Sequence, residues 1–184
     1  MLIGTHIGTV LHLTRFGDAA SPRQYTPLSH MVGDAVTCIC MHPLLDELFV
    51  VGYQSGLFAI FRQTKSRSIC SWPSESLHPP GIQSIVWSNH RPSVLFVLDS
   101  AGAVSVWDLG ESDIGPCFTY GGRGATRGKD DVICAIAVNG KGSNSCILSV
   151  VYEDGRVEGH VLDDVLSEAG IDEATRFESY INSL

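Results

Sequence analysis

Basic residues are scarce in this chain: 12 Lys and Arg stand against 20 Asp and Glu, for a formal net charge of −8. A protein that holds nucleic acid by its phosphates needs a basic face. So few cations cannot supply one, and the same deficit argues against an anionic membrane as a direct partner. Long apolar runs are also missing. The longest clean one spans about Val94 to Leu98, far below the roughly 20 residues of a membrane helix. Residues 1–14 have no basic start and are interrupted by His6 and His12, which makes a poor signal peptide. These absences predict a soluble, cytoplasmic chain with no membrane insertion and no nucleic-acid partner.

The usual chemical motifs are absent too. Six cysteines contain no C-x-x-C pair, so the common zinc spacing is missing. Cys38, Cys40, Cys134 and Cys146 lie in apolar, strand-like runs, where a free thiol behaves as a small hydrophobe. There is no H-E-x-x-H and no G-x-S-x-G. His42-Pro43 follows a strand-like run and reads as turn chemistry, and His78-Pro-Pro reads as a loop. The glycine-rich stretch Gly121 to Asp131 superficially suggests a phosphate loop. Arg123 stands where the first glycine is required, Asp130 replaces the magnesium-binding hydroxyl, and a strand-like run follows. The expectation is a non-enzyme with no catalytic residues, no cofactor and no metal.

What the chain does have is glycine, 19 residues of it, within a composition that is 44% hydrophobic. Both suit a real core built from many short strands. The glycines punctuate a repeat. Val36–Arg62, Ile82–Asp108 and Ile133–His160 each read as three strand-like runs, and Leu2–Leu13 is a partial copy. Gly8, Gly56, Gly102 and Gly155 fall at equivalent turns, 46 to 53 residues apart. Such a turn needs a backbone angle that a β-carbon disfavours. A period near 40–45 residues, lengthened by loops, is that of WD-type propeller blades. Trp107-Asp108 closes the third run of one copy, five residues after its glycine, where the WD dipeptide belongs. Ser68–Trp72, Pro116–Tyr120 and Ser21–Pro27 can hold outer strands, and prolines suit such an edge.

The expected fold is all-β: a partial WD-repeat propeller of about three and two-thirds blades. Its parts are a partial blade at residues 1–31 and blades at 36–72, 82–120 and 133–162. An acidic helical tail follows at 163–184. The partial first copy and the three-run last copy predict that the chain is the C-terminal part of a longer protein. Alone, it would associate through two exposed sheet edges. The Asp–His–Ser–Trp network that often ties a blade together is incomplete in every copy, so packing is expected to hold the blades. In the tail, Asp163, Asp164, Glu168, Asp172, Glu173 and Glu178 face only Arg176, which reads as a solvated helix surface. Val165, Leu166 and Ala169 sit at helical spacing, and Ala174–Ile181 suits a second helix.

Gly81–Ser100 contains Trp87-Ser88, Arg91-Pro92 and Asp99, and is followed by Val104-Ser-Val-Trp-Asp-Leu109. This stretch resembles dynein intermediate chains. Leu48–Gly56 is similar to the preceding blade of that family, and Leu2-Ile-Gly-Thr…Gly8-Thr to its opening. Within the family the similarity is strongest to the intermediate chains of cytoplasmic dynein 2, the motor of retrograde intraflagellar transport. It covers roughly residues 1–165 and leaves the tail unmatched. The resemblance implies a non-catalytic scaffold whose propeller docks on a dynein heavy chain. It also implies a second intermediate chain as partner, a role in cilium assembly, and a place in the cytoplasm, cilium and cytoskeleton. A generic WD-repeat interaction adaptor is the other reading. Loops Arg62–Ser68, Ser74–Gly81 and Glu111–Asp131 are the candidate contact regions, with no individual partner-binding residue identified. Trp72 and Trp87 would be interface anchors if exposed, although the strand position of Trp87 points to the core.

Overall fold

The repeat pattern becomes four successive antiparallel sheets in the computed structural model, which describes residues 1–17, 19–28, 33–72, 79–122, 132–139 and 146–184. The first sheet has the order β1 (Leu2–Gly4), β2 (Val10–His12), β3 (Gln24–Tyr25). The second runs β4 (Val36–Met41), β5 (Leu48–Tyr53), β6 (Phe58–Arg62), β7 (Cys70–Trp72). The third runs β8 (Ile82–Trp87), β9 (Val94–Asp99), β10 (Ala103–Asp108), β11 (Phe118–Gly121). The fourth has β12 (Ile133–Asn139), β13 (Ile147–Tyr152) and β14 (Val157–Val161). Two helices follow, α1 (Asp164–Ser167) and α2 (Glu173–Ser183). Each sheet is a meander of neighbouring strands, as in a propeller blade. The chain is therefore an all-β, partial WD-repeat propeller with a short helical C-terminus.

The hairpins form where the glycines permit. Gly8, Gly56, Gly102 and Gly155 have φ of +88°, +82°, +79° and +87°, in the left-handed region that a β-carbon disfavours. Nearby side chains satisfy the turn amides. Thr5 Oγ1 accepts from the Thr9 amide, and Asp34 Oδ1 from Ser55. Asp99 Oδ1 accepts from Ala101 and Ala103, and Asp154 Oδ1 from Arg156. Once the turns are set, register follows: Val104 faces Leu98 and Asp108 faces Val94 across β9–β10, while β4–β5 and β12–β13 each carry one register shift, at Val36/Cys38 and Ile133/Ala135. Along β9, Val94–Leu98 is buried on both faces, which is why this strand reads as a continuous apolar run rather than an alternation.

The chain divides into two compact units, Met1–Ile85 with Leu184, and Val86–Ser183. In the first, β2 and β3 contribute Val10 and Tyr25 to a core shared with Phe49, Val51, Tyr53, Ala59 and Phe61. Tyr25 meets Phe49 edge-on, with ring centroids 5.0 Å apart, and Phe49 stacks on Phe61 at 5.2 Å. Offset and edge contacts of this kind each add about 0.5–1.5 kcal/mol beyond area burial. The Tyr25 hydroxyl donates to the Gln63 carbonyl. In the second unit, Val94, Phe96, Leu98, Val104 and Val106 pack against Ile133, Ile136, Leu148, Val150 and Tyr152 of the next sheet.

Two expectations change. Packing does not act alone: a buried ion-pair cluster forms at the WD dipeptide, described below. The acidic tail is not a uniformly solvated face either, because Glu173 is buried. His42 is turn chemistry as expected: its Nδ1 accepts from the Leu44 and Leu45 amides.

Candidate docking surface and its buried charge cluster

The motif residues of the third sheet form one connected construction. Trp87 ends β8 and is buried at 2% exposure. Ser88 Oγ accepts from the amides of His90 and Arg91, which shapes the turn that follows. That turn aims Arg91 inward, where its side chain is only 10% exposed. Arg91 Nη1 lies 2.7 Å from Asp108 Oδ2, the aspartate of the WD dipeptide. Its Nε donates to both carboxylate oxygens of Glu173, at 2.9 and 3.1 Å. Arg91 Nη1 also donates to the Val165 carbonyl. Ser93 Oγ sits between the two acids, 2.7 Å from Asp108 Oδ1 and 2.8 Å from Glu173 Oε1.

One arginine therefore joins the sheet, α1 and α2. A planar guanidinium suits this because it presents several donors in fixed directions, whereas a lysine offers a single point charge. Asp108 has further partners, accepting from the Gly110 amide at 3.0 Å. The cluster is thus densely hydrogen-bonded, the condition under which a buried charge is tolerated.

Helix α2 rests on this cluster through one stripe. Glu173, Phe177 and Ile181 are its buried residues, spaced four apart so that they share a helical face. Phe177 meets Trp87 edge-on, with centroids 6.3 Å apart. On another face, the Tyr180 hydroxyl donates to Asp113 Oδ2 at 2.7 Å. Sequence reading found the helix but missed the role of Glu173. The available signal was its spacing with Phe177 and Ile181, which sets a carboxylate on the apolar stripe.

The candidate contact loops have different fates. Arg62–Ser68 is engaged within its own unit: Thr26 donates to the Ser66 carbonyl, Ser68 to that of Thr26, and the Leu28 amide to Ser68 Oγ. Residues 73–78 and 123–131 lie outside the described residues, so most of Ser74–Gly81 and the end of Glu111–Asp131 do as well. The glycine-rich stretch falls largely in that second gap. The described part, Glu111–Gly122, carries Ile114 at 89% exposure and Phe118 at 58%. Single exposed apolar side chains occur elsewhere too, Phe16 at 85% and Ile171 at 90% among them, and are ordinary on a protein surface. Trp72 is half-buried and stacks on Phe58 at 5.0 Å, and Trp87 is core. Neither is an exposed anchor.

Among the described residues, no three His, Cys, Asp or Glu side chains come together as a metal site. No helix there is long and apolar enough to cross a membrane. The strongest pKa displacements belong to core phenols and thiols. Burial raises Tyr25; burial, then the Asp34 carboxylate, raises Tyr53. Burial raises Tyr152, reinforced by its contacts with Tyr120 and Glu158. Burial also pushes up the thiols of Cys38 and Cys146.

Blade-like sheets and a WD dipeptide held by an arginine define a partial WD-repeat propeller. No family model matches the chain. Two curated proteins are similar to it. Mouse (Mus musculus) cytoplasmic dynein 2 intermediate chain 1 is 34% identical over 116 residues, covering 62% of this chain and 12% of that protein. The human (Homo sapiens) protein of the same name is 28% identical over 116 residues, covering 62% of this chain and 11% of that protein. The chain thus spans about an eighth or less of the length of these relatives.

Proposed function

We propose that this chain is a non-catalytic scaffold region of a dynein intermediate chain, and that its blades dock on a dynein heavy chain for retrograde intraflagellar transport. The observation that carries the reading is 34% identity to a dynein 2 intermediate chain across 116 residues. The structure adds a physical means. Sheets joined by ladders and a buried ion cluster form a scaffold that positions surface loops, and loops placed on such a scaffold are where binding residues concentrate. The partners follow from the motor assignment: the heavy chain, and a second intermediate chain beside it. The cytoplasm and the cilium are the corresponding places of action.

The docking face assigned here includes Ile114 and Phe118. Immunoprecipitation from ciliated cells is expected to recover the dynein heavy chain. Ile114→Asp with Phe118→Asp should reduce that recovery at least about tenfold, the scale on which interface anchors act. The thermal midpoint should stay within a degree or two, because exposed positions contribute little to stability. Recovery of ubiquitin-ligase subunits without any dynein chain would instead identify a general WD-repeat adaptor.

A further inference from the structure

Helix α2 differs from every strand in how it is held. The strands are fixed by backbone ladders, whereas α2 meets the body through side chains. Glu173 reaches Arg91 and Ser93, Phe177 reaches Trp87, and Tyr180 reaches Asp113. The helix has 11 residues, a length at which an isolated helix is marginal in water. Its form therefore depends on the seat beneath it. Asp172, immediately before it, has φ +60°, so a distinct bend separates α2 from the preceding segment.

The seat is built to survive without its helix. When α2 leaves, Glu173 goes to water, but Arg91 keeps Asp108 at 2.7 Å and Ser93 keeps the same aspartate at 2.7 Å. The emptied seat then presents a fixed guanidinium with its Nε donor free, next to the uncovered Trp87 ring. Those features recognise a particular ligand: an amphipathic helix with a carboxylate, an aromatic and a branched aliphatic residue at i, i+4 and i+8. Grooves that read such a stripe are a recurring mode of protein recognition.

We propose that the Trp87–Arg91–Ser93 surface is a helix-binding site, that α2 occupies it in cis as a strap, and that a partner helix of the same pattern displaces it. The site does not depend on the motor assignment. It would serve any assembly in which a partner helix carries the matching stripe. Arg91 sets specificity, since a helix lacking the carboxylate would leave its Nε donor buried and unpaired.

The test uses the full chain. Phe177→Ala with Ile181→Ala unseats α2 while leaving the seat unchanged. A fluorescent peptide of residues 170–184 should bind this variant saturably and at least about tenfold more tightly than it binds wild type, where the seat is occupied. A Glu173→Ala version of the peptide, which leaves the Arg91 Nε donor without an acceptor, should lose about tenfold or more, the scale of a hydrogen bond to a charged group. Equal binding to both proteins, or none to the folded variant, overturns the proposal. If the variant does not fold, hydrogen exchange on wild type decides. The amides of α2 should exchange at least about a hundredfold faster than those of β9, marking a strap that opens alone. Equal protection would mean that the helix is an inseparable part of the core.

Discussion

At the scale of single residues, Arg91 has the most concentrated role. It pairs with both Asp108 and Glu173 inside the protein. Arg91→Ala would leave two carboxylates buried without a cation, sharing the Ser93 hydroxyl and keeping one backbone amide each, Gly110 for Asp108 and Gly170 for Glu173. Breaking a buried pair from one side costs about 3–5 kcal/mol, so the urea midpoint should fall by the corresponding amount. Glu173→Gln should cost less, because an amide oxygen still accepts from Arg91 and one of two negative charges disappears. The turn glycines allow a finer comparison. An alanine in the left-handed region costs roughly 1–2 kcal/mol. At Gly155 a β-carbon meets nothing within 4 Å, so Gly155→Ala should show that cost alone. At Gly102 it would lie 2.9 Å from the backbone nitrogen of Ile133 and from Val132 Cγ1. Gly102→Ala should therefore destabilise more, read as a larger drop in thermal midpoint.

At the scale of elements, strands were legible and their partners were less so. Val94–Leu98 announced a strand covered on both faces because its burial is uniform, and the outer strands at Cys70–Trp72 and Phe118–Gly121 fell where short polar-apolar segments allowed. The tail was only half legible. Its helical periodicity was visible, but its charge suggested a solvated face. The error has a physical cause: a carboxylate on an apolar stripe is unexplained until an arginine distant in sequence arrives beside it. Cysteines give an element-level test. Cys146 is buried just before β13, and Cys38 lies inside β4 with its thiol pushed up by burial, whereas Cys117 is exposed ahead of β11. Iodoacetamide at pH 8 should modify Cys117 first. Cys38 and Cys146 should react only on unfolding, because thiolate fraction and access both limit the reaction. Peptide mapping against time would show the order.

At the scale of the whole molecule, the two units share a vulnerability to alkali. Tyr25 and Tyr53 in one, and Tyr152 in the other, all have phenols raised by burial. An unfolded chain releases these protons near pH 10, while the folded chain keeps them to higher pH. Folding is then favoured fully below about pH 10 and loses stability as pH rises past it, since the folded state binds more protons. Thermal midpoints should begin to fall near pH 9, where unfolding frees the buried Cys38 and Cys146 thiols to ionise, and fall more steeply above pH 10 as the phenols join them. Phenolate absorbance equivalent to three of the five tyrosines should appear only together with unfolding. Ionisation of more than two phenols in the folded protein near pH 10 would show that these three are open to solvent.

The sequence by itself determined the periodic skeleton: four glycine turns, the strand runs around them and the WD position, because steric limits at a tight turn and two-faced burial act locally. Tertiary structure alone decided which polar groups meet. Arg91 lies 82 residues from Glu173, and no local rule connects them. Only folding brings a guanidinium from one turn between the aspartate of the WD dipeptide and the glutamate of a distant helix, where the exclusion of water makes their pairing count.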